Sequence, residues 1–277
     1  MSRRVEFAKM AAAGNDFIVI HDAGGRWWSK GAELAVSLCR RRFSVGADGL
    51  LLLRAVEGEE IELAYWNADG SPAELCANGA RCAARFARDA GISGDRSILR
   101  TGSGLVAAEL LAGRVRIEMP EPRGPIPHRI DAPSGSVDLF WLHTGVPHAV
   151  VLAGAISEWC FEELAPFVRR HELWGREGAN VDLAHRTGDR LVMRSWERGV
   201  EAETHSCGTG AVAVALAAAR LWGVESPVSI LNSLGETVEV TFLSNEKGFF
   251  GVFLSGSVEE IYRGSIAVDR ATVIPRG

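Results

Sequence analysis

The sequence predicts an α+β fold made of two copies of one unit. Three observations carry that reading. Strand-like and helix-like segments follow the same plan in both halves, short motifs recur in one order, and a stretch rich in proline and glycine separates the halves. "GNDFIVI" (14–20) answers "GVPHAVV" (145–151), "GADGLLLL" (46–53) answers "GANVDLAH" (178–185), and "CANGA" (76–80) answers "CGTGA" (207–211). Each of these two cysteines also follows a tryptophan, Cys76 after Trp66 and Cys207 after Trp196.

Taken in order, the first half offers a strand in "DFIVIHD", a helix from Lys30 to Phe43, and strands in "GLLLLRAV" and "EIELAYW". A helix after Cys76 follows, closed by Gly91, and "SILRTGSGLVAAELLAGRVRIEMP" reads as two strands around a turn. "PEPRGPIPHRIDAPSG" reads as a linker because proline and glycine break both periodicities. The second half repeats the plan with strands in "VDLFWLHTG" and "HAVVLAG", a helix from about Ser157 to His171, and strands in "NVDLAHR" and "RLVMRSWERG". The helix after Cys207 runs to Trp222 with Gly223 as its cap, and "ETVEVTFLS" and "GFFGVFLSG" close the chain as strands. In the first helix Arg81, Arg85 and Arg88 fall on one stripe, which predicts a partly exposed helix. The second has only Arg220 among its charges, so it is expected to be buried, enclosed by its own sheet.

At 277 residues, 47% hydrophobic and 23% charged, the chain has an ordinary globular composition. A net charge of -5 argues against nucleic-acid and membrane-surface roles, which need a basic face. No apolar stretch reaches the length of a membrane span and no signal core follows the first arginines, so a cytoplasmic location is expected. Five scattered cysteines without a C-x-x-C pair argue against a disulfide framework and a structural zinc site, and the histidines lack metal spacing. Cys39, Cys82 and Cys160 sit inside amphipathic segments and read as small core residues.

Cys76 and Cys207 differ, because each stands at the mouth of a helix. A free thiol has a pKa of ~8.5, and helix N-terminal amides lower it, so both thiols are expected to be acidified. The amides of Ala77, Asn78, Gly208 and Thr209 also make an anion site fit for a carboxylate. Two thiols sharing a cleft around such a carboxylate suit inversion at the α-carbon of an amino acid, one removing a proton and the other returning one. Amides stabilise the developing enediolate, so neither a metal nor another cofactor is needed. His148 opens an apolar strand and is open to a core or a functional reading.

These motifs resemble those of the diaminopimelate epimerases, from "GNDFIVI" and "WNADGSPAELCANGARC" through "GVPHAVV", "GANVDL" and "ERGVEAETHSCGTGA" to "IYRGSI". The resemblance implies cofactor-independent interconversion of LL- and meso-diaminopimelate, with Cys76 and Cys207 as opposed acid and base. It implies that the amides of Ala77, Asn78, Gly79, Gly208 and Thr209 hold the carboxylate. Substrate binding is implied for Asn15, Asn67, Asn180, Glu197 and Arg198, and His148 and Glu197 are implied to help set thiol protonation. It further implies two pseudo-symmetric domains, each a curled, mostly antiparallel sheet around a central helix, over 1–119 and 120–262. The last strand, within 263–277, would return to the first domain, and a homodimer would form. The chain departs from the family pattern at Ala77, where glycine is usual, at Val146 in place of asparagine, and by one extra residue before Cys207. The competing readings are the same chemistry on histidine, proline or another amino acid, and a redox sensor in which the two thiols form a reversible disulfide.

Overall fold

The computed structural model describes residues 3–56, 58–73, 76–133, 135–154 and 160–268. The chain divides into one unit of residues 1–117 and 256–277 and a second of 118–255. In the first, β1 (Arg3–Ala12), β2 (Asn15–His21), β3 (Gly49–Ala55), β4 (Glu60–Asn67), β6 (Arg96–Thr101), β7 (Gly104–Leu111) and β8 (Arg114–Glu118) follow in sheet order. The short β5 (Pro72–Ala73) pairs on β4, and β18 (Glu259–Val268) runs antiparallel to β1 on its other side. Only β2 with β3 and β4 with β6 are parallel among the described pairings of this unit.

The second unit repeats this plan. β9 (Arg123–Ala132) pairs antiparallel with β10 (Gly135–His143), and β11 (Pro147–Ala153), β12 (Asn180–Thr187), β13 (Arg190–Glu197), β15 (Val228–Leu231) and β16 (Thr237–Asn245) follow in sheet order. β14 (Ala202–Thr204) pairs on β13 and β17 (Gly248–Ser257) closes the unit. Here β11 with β12 and β13 with β15 are the parallel pairs, at the same places in the plan. Gly14 (φ 97°) and Gly145 (φ 111°) turn the chain into β2 and β11, a backbone region that side chains strain.

Each sheet has one helix on either face. In the first unit α1 (Gly31–Leu38) covers Ile18, Ile20, Leu50 and Leu52, while α2 (Ala77–Asp89) touches β1, β2, β3, β6 and β7. In the second, α3 (Phe161–Arg169) covers Val151, Val181 and Leu183, and α4 (Gly208–Trp222) touches β9, β10, β11, β12, β13, β15 and β16. Alternation along a strand therefore decides what each helix meets. Leu50 and Leu52 face α1 and Leu51 faces α2; Val181 and Leu183 face α3 and Asp182 faces α4. Because both faces are covered, "GLLLL" stays continuously apolar. Phe161, the fully buried first residue of α3, contributes about 2–3 kcal/mol by removal from water.

Several expectations need correction. Residues 120–135 are no linker: β9 lies here, its prolines tolerated because its described pairing is with β10 alone. "SILRTGSGLVAAELLAGRVRIEMP" forms three strands, β6 to β8, since Gly113 supplies a second turn at φ 83°. The first helix stops at Leu38, where Cys39 begins a turn, and the expected helix start at Ser157 lies outside the described residues. Arg81 is fully buried and not on a solvent face, because strands enclose the first two turns of α2 and Asn78 Oδ1 accepts its Nη2–H at 2.5 Å. Arg85 and Arg88, further along, do reach Asp89 near the surface. The enclosure expected for α4 is observed: every residue from Gly210 to Ala218 is buried.

Candidate active site

Both thiols occupy the position before the first helical residue with nearly the same extended backbone. Cys76 has φ -123° and ψ 114°; Cys207 has φ -124° and ψ 106°. Their surroundings differ. Cys76 is half-buried and its Sγ accepts the Gly79 N–H at 3.4 Å, capping α2. Cys207 is buried, and its Sγ lies 3.5 Å from Thr209 Oγ1.

Around Cys76 the first unit gathers asparagines into a fixed chain. Asn78 Nδ2 donates to Asn15 Oδ1 at 2.8 Å, and Asn15 Nδ2 donates to Asp48 Oδ2 at 3.0 Å. Arg41 bridges Asp48 and Asp16 at 2.8 and 2.6 Å, and Lys9 reaches Asp16 at 2.8 Å. Burial pushes the Asp16 carboxyl up, but hydrogen bonds from Arg41 and Lys9 outweigh it and hold it below the usual carboxylate range. Asn67 ends β4, where its Oδ1 accepts from Tyr65 at 2.8 Å and its Nδ2 donates to Ser71 Oγ at 3.0 Å. Ala77, Asn78 and Gly79 form the first turn of α2, and Ala77 is buried.

The second unit brings His148, Asn180, Glu197, Arg198, Gly208 and Thr209 together at the start of α4. His148, fully buried, has Nδ1 2.6 Å from Asp182 Oδ2 and Nε2 2.9 Å from Thr209 Oγ1. Asn180 Oδ1 accepts the Arg198 amide at 2.8 Å while its Nδ2 stands 3.5 Å from His148 Nε2. Thr144 Oγ1 donates to the Thr209 carbonyl at 2.9 Å, fixing the turn that carries the hydroxyl. Glu197 accepts the Thr204 hydroxyl, and Arg198 Nη1 lies 3.4 Å from Glu177.

Electrostatics here run against the expectation of two acidified thiols. Burial pushes the Cys207 thiol well above its ordinary value, and the Glu197 and Asp182 charges add to that. The Thr209 hydroxyl and Gly210 amide pull the other way without prevailing, so Cys207 is held as the protonated thiol. Burial likewise raises the Glu197 carboxyl, with Asp182 reinforcing it against the Thr204 hydrogen bond. Cys39 is pushed up to about 12 by burial, and burial also raises Cys82, as expected of core residues, whereas Cys160, expected with them in the core, is exposed just before α3. Among the described residues no group of three or more His, Cys, Asp or Glu converges to hold a metal ion.

Sequence reasoning missed Asp182, Ser195 and Thr144 and set Arg81, which is buried, on a solvent face. Asp182 left one signal, a lone acid in the apolar run "VDLA".

The model of the diaminopimelate epimerase family matches residues 7–124 and 140–260. The chain belongs to that family. The diaminopimelate epimerase of Aquifex aeolicus is 34% identical over 277 residues, covering 95% of this chain and 98% of its own. That of Chlorobaculum tepidum is 36% identical over 264 residues, 94% of this chain and 100% of its own. The fold is shared more widely. A hydroxyproline epimerase from Agrobacterium vitis superposes with a TM-score of 0.66 at 16% identity, over 98% of this chain and 95% of its own. A PhzF-family phenazine biosynthesis protein from Bacillus anthracis reaches 0.74 at 12% identity, over 96% and 100%. This diaminopimelate epimerase family member therefore shares its architecture, two similar units with a helix wrapped by each sheet, with proteins of little sequence likeness. No helix among its described residues is long and apolar enough to cross a membrane.

Proposed function

We propose that the protein epimerises LL-diaminopimelate to the meso form with two thiols, one taking the α-proton as thiolate and the other returning one. The observation that carries this is the repetition of a cysteine at the N-terminus of an enclosed helix, once in each unit of a duplicated family fold. Cys207, held protonated, supplies the returning proton for one direction, and Cys76 takes the α-proton. The turn amides at Ala77, Asn78, Gly79, Gly208 and Thr209 receive the carboxylate as it gains enediolate character. Asn15, Asn67, Asn180, Glu197 and Arg198 bind the rest of the substrate, Arg198 offering its guanidinium to a carboxylate.

Proton NMR of LL-diaminopimelate in deuterated, reducing buffer tests the reading. Loss of the α-proton signal with appearance of the meso isomer is expected. Exchange of a different amino acid, with diaminopimelate untouched, would keep the chemistry and overturn the substrate. Cys76→Ser and Cys207→Ser should each slow exchange by ~10³-fold or more. Unchanged exchange in either variant would remove that thiol from the reaction and revive the redox-sensor reading.

A further inference from the structure

We propose that Asp182 sets the tautomer and ring plane of His148, and that Gly210 is the position that admits it. The proposal deepens the preceding reading and rests on it, since His148 matters to catalysis only through the thiol chemistry. Asp182 is fully buried in β12, one strand from His148 in β11, on the face turned to α4. Its Oδ2 is 2.6 Å from His148 Nδ1, and its Oδ1 accepts the Ser195 hydroxyl at 2.6 Å. A carboxylate only accepts, so the nitrogen facing it carries the hydrogen. The neutral ring then presents a lone pair at Nε2, which faces Thr209 Oγ1 at 2.9 Å.

That assignment gives the cluster a direction. Nδ1–H donates to Asp182 and the Thr209 hydroxyl donates to Nε2, which leaves Thr209 Oγ1, 3.5 Å from Cys207 Sγ, as an acceptor for the thiol beside Glu197, its other hydrogen-bond partner. A proton leaving Cys207 for Thr209, as the Thr209 hydroxyl proton passes to Nε2, leaves a thiolate at one end. At the other it leaves an imidazolium held by Asp182, with every proton accounted for. With the other tautomer Nε2 would be a donor and the transfer blocked. The titratable groups around this path are Asp182 on β12, Glu197 on β13 and His143 on β10, the last two pushed toward their neutral forms by burial; α4 itself bears only Arg220, in its last turn.

Two comparisons argue that the cluster serves chemistry. A Cβ built on Gly210 would stand 3.0 Å from Asp182 Cγ and closer still to Oδ1, so only glycine lets the carboxylate reach the positive end of α4. In the first unit the same register holds Leu51 and Phe17, and a Cβ on Gly79 meets ordinary contacts, Leu51 at 3.4 Å and Phe17 at 3.5 Å. The fold is therefore satisfied by apolar side chains at these places. A buried acid and histidine are costly to bury, and at these places the second unit holds Asp182 and His148 where the first holds Leu51 and Phe17.

Nitrogen-15 NMR of histidine-labelled protein reads the tautomer directly. Of the 7 histidines, His148 is assigned by the signals lost in His148→Phe. The neutral His148 of the wild-type protein is expected to carry its proton on Nδ1. Asp182→Asn, whose carboxamide can donate to Nδ1, should move the proton to Nε2, lower kcat about 10²–10⁴-fold with KM little changed, and reshape the acid limb of the pH profile. Gly210→Ala should push the Asp182 carboxylate aside and mix the tautomers although no hydrogen-bonding side chain is removed. A proton on Nε2 in the wild-type protein overturns the proposal, and that holds even if Asp182→Asn does not fold. A folded Asp182→Asn variant with the wild-type tautomer and kcat overturns it too. A wild-type protein inactive on diaminopimelate with the Nδ1 tautomer intact would instead sink the substrate reading alone.

Discussion

The two units place a cysteine on the same backbone, before the same helix, inside the same curl of strands, and then treat it in opposite ways. In the first unit the thiol is half-buried and caps its helix, whose first turn packs at Gly79 on Phe17 and Leu51. In the second it is buried above Asp182 and His148 and beside Glu197, and burial with two carboxylates keeps its proton on. Helix N-terminal amides alone therefore do not decide thiol acidity. At Cys207 the helix dipole is outweighed first by burial and then by the Glu197 and Asp182 charges.

Thiol labelling offers the widest separation. With iodoacetamide at neutral pH, Cys160 and Cys76 should be modified at least ~10-fold faster than Cys207, with Cys39 and Cys82 inert in the folded protein. Equal rates at Cys76 and Cys207, read by peptide mass spectrometry, would erase the contrast. Next in size is His148→Phe, which gives the second unit the first unit's side chain but strands Asp182. It should cost ~3–5 kcal/mol in urea unfolding, and adding Asp182→Leu should recover most of that. If the double variant is no more stable than the single one, the apolar equivalence of the two units is wrong.

The two helix glycines give a smaller effect with a change of sign. Gly79→Ala should be neutral or stabilise by up to ~1 kcal/mol, since its Cβ meets ordinary contacts in a helix. Gly210→Ala should cost ~1–3 kcal/mol by crowding Asp182. Smallest is a pH effect at Glu197. Burial raises its carboxyl in the folded state, so stability from the protonated form is present below the unfolded value and is lost as pH rises through the folded one. Glu197→Gln should accordingly raise Tm at neutral pH, with the gain vanishing below about pH 4. A gain that persists into acid would mean that packing, and not charge, is responsible.

The duplication was legible because its markers answer backbone demands. Gly14 and Gly145 need a positive φ, and Gly223 ends α4 in the left-handed region. The paired cysteines and tryptophans stand out for the same reason, since they occur at fixed places in a plan read twice. Arg81 was misread because helical periodicity reports which residues share a stripe, not what lies against it. β9 was misread because proline statistics describe central strands, and β9 is described with one partner. Asp182 hid in an apolar run whose neighbours Val181 and Leu183 serve the opposite face. Its role depends on two other strands and a helix that no local pattern contains.

The pairing of β18 with β1 makes the first unit discontinuous in the chain, whereas the second is one uninterrupted segment. During synthesis the second unit, residues 118–255, is complete before β18 is made, while β1 must wait for β18 to pair. Among the described residues the strand contacts of greatest sequence separation fall there, with Arg3 opposite Val268, which makes this the ladder with the largest loop to close. The first unit, Cys76 included, would then mature after the second on every newly made chain.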